Sequence, residues 1–386
     1  MRLQYLCILL ILLVFPAVGP ANTTTGSTDD TLEDLLYNDI TDGRLDTFSH
    51  IEAGLILSGV TTRDSLIYHL SWFDALVDQL RTIHLDYTDR IKSAQMVFNY
   101  LHAVWLKTYS LESTTLLDIA RNKQFNCVSA TLLYNLVCDQ LGWSTEAFET
   151  PTHVYTLFPN FIETVMVENT TPMGFNIIKN LDAYSRYLAR FYPDNQVLRI
   201  GLDRLYLHEN SHGRPINNTE LLGLLAYNRA WLAERRMDYD RAYHLVKLAQ
   251  AFNADSRSNL VFEKNLYIHW SGKLIENGRV SDAFFVLSEA SYRFPGETLF
   301  QKNCMFALQN ALDQSWTQKS WKNSEALLSE ALTLDFLSEE AVRMMAFWIN
   351  RWEKTLSVSG SGKDVSQIKK LRKTLIRISE SIEANR

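Results

Sequence analysis

The C-terminal half of the sequence repeats with a fixed period, and this feature restricts the possible folds more than any other. Three segments of similar pattern end in alanine: DYDRAYHLVKLA, RVSDAFFVLSEA and SWKNSEALLSEA. Their last residues, Ala249, Ala290 and Ala331, lie 41 residues apart. A repeat of this length is one supersecondary unit, which buries its apolar face by stacking on its neighbours. Candidate helices at 221–235 and 260–276 precede the first two segments, so we expect stacked helical hairpins.

Small residues recur at corresponding positions of the first two units: Ala230, Ala242, Ala249, Ser271, Ala283 and Ala290, followed by Pro295. This pattern resembles tetratricopeptide repeats, although the third unit has Ser324 where alanine is usual. The family period is about 34 residues, so each unit here has roughly seven more, which indicates lengthened helices. The resemblance covers residues 218–356. It implies an all-α repeat domain whose concave surface binds a peptide or protein, either a substrate or a partner.

The first 21 residues are typical of a secretory signal peptide. Arg2 provides the positive charge, residues 6–15 are apolar without interruption, and a small-residue stretch ends at Ala21, where we expect cleavage. The apolar run is shorter than the roughly 20 residues that a spanning helix needs, although an uncleaved anchor remains an alternative. The sequence therefore predicts export, to a bacterial periplasm or extracytoplasmic face, with a flexible tether at 22–29.

The composition is that of a globular protein with more than one domain. Its 386 residues are 46% hydrophobic and 21% charged, and this length exceeds that of one ordinary domain. Acidic residues outnumber basic ones by 44 to 38, so we expect no nucleic-acid partner. Cleavage at Ala21 would leave Cys127, Cys138 and Cys304, which cannot all pair within one chain. An odd number of thiols in an exported protein indicates a candidate reactive cysteine.

The pattern before the repeats predicts an α+β domain over residues 30–210. Helical periodicity extends over 31–120, and residues 127–141 form one apolar helix that ends at Gly142. One such helix against a small antiparallel sheet is an α+β arrangement. Another helix is expected at 181–191. Short strands are predicted from β-branched and aromatic runs at 145–148, 153–158 and 162–167.

Three segments mark the limits of the repeats. Residues 211–218 (SHGRPINN) predict a loop at the domain boundary, and residues 357–363 (SVSGSGK) predict a flexible linker. Residues 364–386 then predict an amphipathic helix with a narrow apolar stripe and flanking basic residues. We expect this helix to cap the repeats, with a coiled-coil dimer or a contact with anionic lipid as alternatives. Membrane contact is expected only through this helix or an uncleaved N-terminal segment.

The residues able to carry chemistry lie in the α+β domain. Cys127 begins the apolar helix, where the peptide dipoles favour the thiolate and a backbone N–H can face an oxyanion. His153 begins the second strand run and Glu168 ends the third, so a hairpin can place the carboxylate beside the imidazole. A cysteine nucleophile needs both a base and a group that orients the base. The sequence predicts Cys127, His153 and Glu168 in these three roles.

Four motifs here are together similar to the transglutaminase-like superfamily: FNCVSATLLY at 125–134, LGW at 141–143, PTHVY at 151–155 and VENTTP at 167–172. The match covers about 113–175, and the helices before it suit the bacterial branch with a helical N-terminal lobe. The resemblance implies a papain-like cysteine enzyme that attacks an amide carbonyl and forms a thioester. Water as acceptor would make it a peptidase or amidase, and an amine would make it a transamidase. The family usually has aspartate where Glu168 stands.

Some assignments stay open at this point. Asn169 is the alternative third member, because cysteine–histidine–asparagine sets also occur. Gln124, Asn126 and Tyr155 are candidates for orienting the substrate or the oxyanion, although the family usually has tryptophan where Tyr155 stands. Neither a metal site nor a cofactor is predicted, because the histidines lack ligand spacing and the sequence has no phosphate-binding glycine loop. The alternative function is a non-catalytic binding or scaffold protein that retains the fold.

Overall fold

The computed structural model of the protein describes residues 31–83, 85–86, 88–159, 164–359 and 361–384. The predicted signal peptide and tether lie outside these residues. Within the described ranges, no helix is both long and apolar enough to cross a membrane. The chain is mostly helical, with a small antiparallel sheet in its N-terminal part followed by a long run of packed helices, so the predicted fold class is confirmed.

The described chain begins with four helices: α1 Leu32–Ile40, α2 His50–Leu57, α3 Arg63–Thr82 and α4 Arg90–Val104. Each starts at a polar side chain that accepts a hydrogen bond from the first helical turn, namely Thr31, Ser49, Thr62 and Asp89. Such caps satisfy backbone N–H groups that have no partner inside the helix. After α4, a pair of two-residue parallel strands, β1 Thr108–Tyr109 and β2 Gln124–Phe125, flanks α5 Leu116–Asn122.

The apolar helix expected from the sequence is α6, Cys127–Gln140. Every residue from Val128 to Cys138 is buried, because α6 packs against α4 and α5 and against the sheet. Gly142 follows with a φ of 77°, a left-handed conformation in which glycine is strained least. The predicted stop of this helix is therefore confirmed.

The sheet is antiparallel, with the strand order β5-β4-β3-β6. Its strands are β3 Glu146–Glu149, β4 Val154–Phe158, β5 Val165–Val167 and β6 Arg214–Ile216. The last strand corrects the prediction of a loop throughout 211–218, because residues 214–216 pair with β3 at the sheet edge. Proline has no N–H to donate and is tolerated in strands mainly at an edge. Pro215 therefore looks like a loop signal while it lies in an edge strand.

Residues 177–211, which we call the helical insert, connect β5 to β6. The insert contains α7 Leu181–Leu188, α8 Asp194–Ile200 and α9 Leu205–Ser211, with short 3₁₀ turns at Ile177–Asn180, Ala189–Phe191 and Leu202–Arg204. Its buried side chains pack against Tyr155 of β4 and Met166 of β5, whereas Val154 and Val167 belong to the core around α6. Alternate strand residues point to opposite faces of a sheet. The insert and α6 therefore cover opposite faces.

The rest of the described chain forms four helical hairpins. They pair α10 Asn218–Arg235 with α11 Tyr239–Phe252, α12 Arg257–Glu276 with α13 Val280–Arg293, α14 Thr298–Thr317 with α15 Trp321–Ala331, and α16 Glu339–Ser359 with α17 Gly362–Ala384. Ala249, Ala290 and Ala331 are fully buried, which explains the period of small residues. In the first three hairpins the leading helix has 18 to 20 residues and the second has 11 to 14. The extra length of each unit thus lies in the leading helix.

The C-terminal helix caps the stack, but the expected linker before it is largely absent from the described chain. Helix α16 continues to Ser359 and α17 begins at Gly362, so most of 357–363 is helical. The two glycines of this segment come only at 360 and 362, which lets α16 extend through its first residues. Ile368, Leu371 and Leu375 of α17 are buried against the preceding helices.

The N-terminal lobe and the first hairpin share one core. Helix α10 packs against α2 and α6, and its residues Leu221, Leu222 and Leu225 belong to the same cluster as α6. A second link comes from Glu33 of α1, which lies 3.2 Å from Arg229 of α10 and 2.5 Å from Arg241 of α11. The boundary at 211–218 is therefore a change of architecture inside one packed body.

Candidate active site

Cys127 is the first residue of α6, as the sequence predicts, and it is partly exposed. The Asn126 side-chain oxygen caps the helix by accepting from the N–H groups of Val128, at 3.0 Å, and Ser129, at 3.1 Å. Cys127 therefore lies in the first helical turn, where the helix dipole favours a negative charge on sulfur. Partial exposure of this residue is the basis for expecting its thiol to react with a reagent.

The other two cysteines of the described chain are core residues. Cys138 and Cys304 are free thiols without exposed surface. Burial raises the pKa of Cys138 far above that of an ordinary thiol and raises the pKa of Cys304 to about 12. Such thiols are almost entirely protonated at neutral pH and therefore react slowly. Of the three, Cys127 alone combines exposure with a helix N-terminus.

His153 and Glu168 form a buried pair. His153 directly precedes β4 and Glu168 directly follows β5, and these strands are neighbours in the sheet. The distance from His153 Nε2 to Glu168 Oε2 is 2.6 Å, and both side chains are completely buried. Burial alone would lower the pKa of His153, but the Glu168 carboxylate and the Cys127 thiol raise it well above its ordinary value. Burial would raise the pKa of Glu168, but its contacts with His153 and Thr170 lower it.

The other ring nitrogen of His153 is the one available to the thiol. Nδ1 is buried and has no hydrogen bond of ordinary geometry to any described residue, while Nε2 is engaged with Glu168. The Cys127 side chain interacts with the imidazole and contributes to its raised pKa. Nδ1 can therefore receive the thiol proton while Glu168 accepts the proton on Nε2. The order of thiol, imidazole and carboxylate is the order that triad chemistry needs.

Glu168 is held in place by its own turn. Its Oε1 atom accepts from the Thr170 N–H at 3.0 Å and from the Thr170 hydroxyl, which also contacts the Tyr187 hydroxyl. Thr170 has one hydroxyl proton, and it goes to the carboxylate, so Tyr187 is the donor to Thr170. The turn closes through the Glu168 N–H, 3.0 Å from the Gly174 oxygen. A Cβ at Gly174 would lie 1.9 Å from the Glu168 carbonyl oxygen, so only glycine fits there.

Asn169, the alternative third member, faces a different set of partners. Its amide nitrogen donates to Thr156 Oγ1 at 2.9 Å, to the Val167 oxygen at 3.2 Å and to Thr131 Oγ1 at 3.3 Å. These partners belong to the interface between the sheet and α6. The structure therefore brings Glu168 to His153 and directs Asn169 into the core.

The three candidates for orienting the substrate or the oxyanion have structural partners. Asn126 donates to the Leu111 oxygen at 3.1 Å and caps α6 with its own side-chain oxygen, so both ends of its amide make structural contacts. The Tyr155 hydroxyl donates to Asn210, and its ring stacks on Phe148 at 5.3 Å, inside the core of the insert. The Gln124 oxygen accepts from the Ser113 hydroxyl at 3.3 Å. Gln124 is half-buried and lies three positions before Cys127 in the chain.

An aromatic cover over His153 comes from the insert. The Phe191 ring stacks on the imidazole with centroids 5.3 Å apart, and the Tyr187 ring meets it edge-on at 6.3 Å. The ring of Tyr109 in β1 packs edge-on against the Phe191 ring, with 6.3 Å between the centroids. Burial, Cys127 and Glu168 raise the pKa of Tyr109, so this hydroxyl stays protonated beside the site. Sequence reasoning missed this cover, and the density of aromatic residues between 184 and 192 was the available signal.

In the described part of the chain, no group of three or more histidine, cysteine, aspartate or glutamate side chains could hold a metal ion. A thiol at a helix start, a base with one free nitrogen and a carboxylate that orients the base can perform nucleophilic acyl transfer.

Comparison with known proteins adds no family. No protein-family model matches the sequence, and no curated protein is similar to it. Among solved structures, the chain is similar to the crystal structure of menin that reveals its binding site for Mixed Lineage Leukemia protein, with 12% sequence identity and a TM-score of 0.30. The similarity covers 89% of this chain and 87% of that one. At this score the likeness carries no argument about fold or function, which therefore rest on the residues described above.

Proposed function

We propose that the protein is a cysteine-dependent enzyme of the transglutaminase-like type, which acts on an amide carbonyl. The observation that carries the proposal is the pairing of His153 Nε2 with Glu168 Oε2 at 2.6 Å beside a partly exposed cysteine at a helix start. A buried histidine–glutamate pair alone has a structural explanation. A thiol in the first helical turn that interacts with the imidazole supports a nucleophilic site.

In the proposed reaction, Cys127 Sγ attacks the amide carbonyl carbon as its proton passes to His153 Nδ1. The new C–S bond gives a tetrahedral oxyanion, which the N–H of Cys127 can face because the Asn126 cap already satisfies the next two N–H groups. Collapse breaks the C–N bond, and the imidazolium returns its proton to the leaving amine. The product of this half-reaction is a thioester, and Glu168 stabilises the imidazolium throughout.

The second half-reaction consumes the thioester. A water or amine molecule attacks the same carbonyl carbon while His153 Nδ1 takes its proton, and the C–S bond breaks to regenerate the thiol. Water gives a carboxylic acid, so the enzyme would be a peptidase or amidase. An amine gives a new amide, so the enzyme would be a transamidase. The residues that perform the chemistry are the same in both reactions.

The hairpins have the proposed role of binding a peptide or protein, either the substrate or a partner. Stacked hairpins present an extended surface built from successive second helices. Contacts along this surface, such as Tyr243 with Glu289 and Ser288 with Glu330 at 2.7 Å, fix the register between neighbouring units. Export to an extracytoplasmic compartment is likewise a proposal, which rests on the apolar run at residues 6–15.

A non-catalytic scaffold is the second candidate, and one observation favours it. His153 and Glu168 are completely buried, and Phe191 covers one face of the imidazole, so a substrate would reach the base only beside this cover or after it moves. In a scaffold, the same pair would serve as a buried polar contact that joins the start of β4 to the end of β5. The two candidates differ in the reactivity that they predict for the Cys127 thiol.

Competitive alkylation tests the proposal. Limited iodoacetamide at about pH 6, followed by peptide mass spectrometry, should label Cys127 well before Cys138 and Cys304. His153→Ala should slow this labelling by removing the cationic partner, and Glu168→Gln should slow it less. Asn169→Ala is the matched control, since it removes a polar side chain that faces the core. Equal rates for Cys127 and Cys304, or an unchanged rate in His153→Ala, would leave the scaffold as the function.

A further inference from the structure

Glu209 of α9 reaches across to the turn that carries His153. Its Oε1 atom accepts from the Thr152 hydroxyl at 2.7 Å and from the Thr150 hydroxyl. Glu209 and Thr150 are both buried. These contacts bring together residues that are 57 and 59 positions apart in the sequence. The helical insert therefore contributes a carboxyl group directly behind the proposed base.

The Thr150 side chain passes this constraint to His153. The His153 N–H donates to Thr150 Oγ1 at 3.0 Å, and the Thr150 N–H donates to the His153 oxygen at 2.8 Å. The Thr150 hydroxyl has one proton, which it can give either to Glu209 or to the His153 oxygen at 3.0 Å. Donation to Glu209 turns the hydroxyl lone pairs toward the His153 N–H. The Glu209 oxygen thereby fixes the direction of the backbone from which the imidazole projects.

The second oxygen of Glu209 shows that this contact has a cost. Oε2 is buried without a hydrogen-bond partner among the described residues. A buried carboxyl oxygen without a partner is unfavourable, and a leucine of similar size would avoid the penalty. The benefit of a carboxyl group at this position therefore lies in the hydrogen bonds that it accepts from the Thr150 and Thr152 hydroxyls.

We infer that Glu209 is a positioning residue that holds the 150–153 turn so that the His153 imidazole stays aligned between Cys127 and Glu168. The inference rests on the proposed function, because alignment matters for reactivity only if Cys127 is the nucleophile. It goes beyond that function by assigning the insert a part in the geometry of the site. A displacement of about 1 Å in a reacting group can cost up to roughly a hundredfold in rate.

Two substitutions separate positioning from simple packing. Glu209→Gln keeps an oxygen that can accept from both threonines, and Glu209→Leu keeps the size without the oxygen. Leu207→Ala, on the exposed side of the same helix, is the control. At about pH 6, Glu209→Leu should label Cys127 roughly tenfold more slowly than the unaltered protein, whereas Glu209→Gln and Leu207→Ala should stay within about twofold. The rise of the labelling rate with pH should move to higher pH in Glu209→Leu only.

A second measurement keeps the inference testable if the proposed function fails. The ¹⁵N resonances of the His153 ring should shift in Glu209→Leu and remain in place in Glu209→Gln, whether or not Cys127 reacts. Should His153→Ala leave labelling unchanged, the proposed function falls, and the ring resonances still decide the role of Glu209. Unchanged resonances in Glu209→Leu would overturn the inference, as would equal effects of the two substitutions. If Glu209→Leu does not fold, Thr150→Val removes the hydroxyl that joins Glu209 to the His153 backbone, with Thr150→Ser as the control that keeps it. An unchanged His153 ring in Thr150→Val would also overturn the inference.

Discussion

The Phe191 ring lies nearly parallel to the His153 imidazole, with 23° between the planes and 5.3 Å between the centroids. Phe191 belongs to the 3₁₀ turn that follows α7, so the insert itself covers the proposed base. A substrate that reaches His153 must displace this ring or enter beside it. We therefore expect the position of Phe191 to affect access to the proposed site.

Replacing Phe191 with alanine should open the site to large reagents. A stacked aromatic pair is worth about 0.5–1.5 kcal/mol, so labelling of Cys127 by a bulky maleimide should accelerate roughly two- to tenfold. Labelling by iodoacetamide should change less, because a small reagent needs less space. Tyr192→Ala, which removes the neighbouring ring that faces His208, is the control. An unchanged ratio between the two reagents would show that Phe191 is no barrier.

The buried pair should make stability depend on pH. The pKa of His153 is raised in the folded protein, so its contribution is complete below its ordinary value of 6.5 and is lost as pH rises through the raised value. The pKa of Glu168 is lowered, so its contribution is complete above 4.5 and is lost as pH falls through the lowered value. We expect Glu168→Gln to lower the melting temperature most between about pH 4.5 and 6.5 and least at alkaline pH.

The size of this effect separates it from ordinary surface charge. Breaking a buried ion pair costs about 3–5 kcal/mol, whereas an exposed pair contributes about 0–1 kcal/mol. Asp182→Asn, which breaks the exposed pair with Arg186 in α7, is the matched control. A melting difference for Glu168→Gln that is the same at pH 5.5 and at pH 9 would contradict the assigned ionisation of the pair.

Asn169 should affect stability more than reactivity. Its amide nitrogen bridges Thr156, Val167 and Thr131 in the core, so Asn169→Ala should destabilise the protein by about 1–3 kcal/mol. Chemical denaturation measures this loss, and the labelling rate of Cys127 should stay close to that of the unaltered protein. Thr156→Val, which removes one partner of the same cluster, should give a similar loss of stability. A slowing of labelling greater than that of Glu168→Gln would make Asn169 the third member.

The later hairpins should fold without the N-terminal lobe, although we expect the separable fragment to begin after the first hairpin, α10–α11. A fragment of residues 218–386 exposes Leu221, Leu222 and Leu225, which are buried against α2 and α6. The buried residues of the second core cluster lie between Tyr267 and Leu375, from α12 onward, although Tyr243 of α11 packs against them and Phe262 and Leu266 of α12 belong to the first cluster. We therefore expect residues 256–386 to give a soluble helical fragment by circular dichroism and size-exclusion chromatography, and residues 218–386 to associate. A monomeric 218–386 fragment and an unfolded 256–386 fragment would reverse this assignment.

The sequence predicts well what depends on local pattern. Cys127 precedes an unbroken apolar run, and His153 and Glu168 stand at the ends of strand-like segments, so their placement follows from where elements begin and end. The choice between Glu168 and Asn169 does not follow, because a shift of one residue at the end of β5 exchanges the side chains that face the base and the core. The period of 41 residues likewise predicts the hairpins.

Contacts between segments that are distant in the sequence cannot be predicted from such local patterns. Phe191 and Glu209 meet the 150–153 turn only because the insert folds back over the sheet. Strand β6 could not be predicted because Pro215 indicates a loop. Proline is acceptable there only because β6 lies at the sheet edge, which is a property of the assembled sheet. The predicted linker at 357–363 is longer than the break between α16 and α17, because the serine and valine residues before the glycines can continue a helix.

Helix α10 has one side on the N-terminal lobe and the other on α11, so the stack of hairpins has no open end there. Repeat arrays ordinarily need a terminal unit with a polar outer face, and here the lobe with Cys127 occupies that place, while α17 closes the far end. The number of hairpins could consequently change without altering either end of the stack. We expect that another unit of 41 residues, added between α13 and α14, would leave α6, β4 and the insert in place, because the main packing partners of α13 and α14 are neighbouring hairpin helices. Variants of this architecture with longer or shorter arrays would keep the proposed reaction centre while changing the length of the helical surface attached to it.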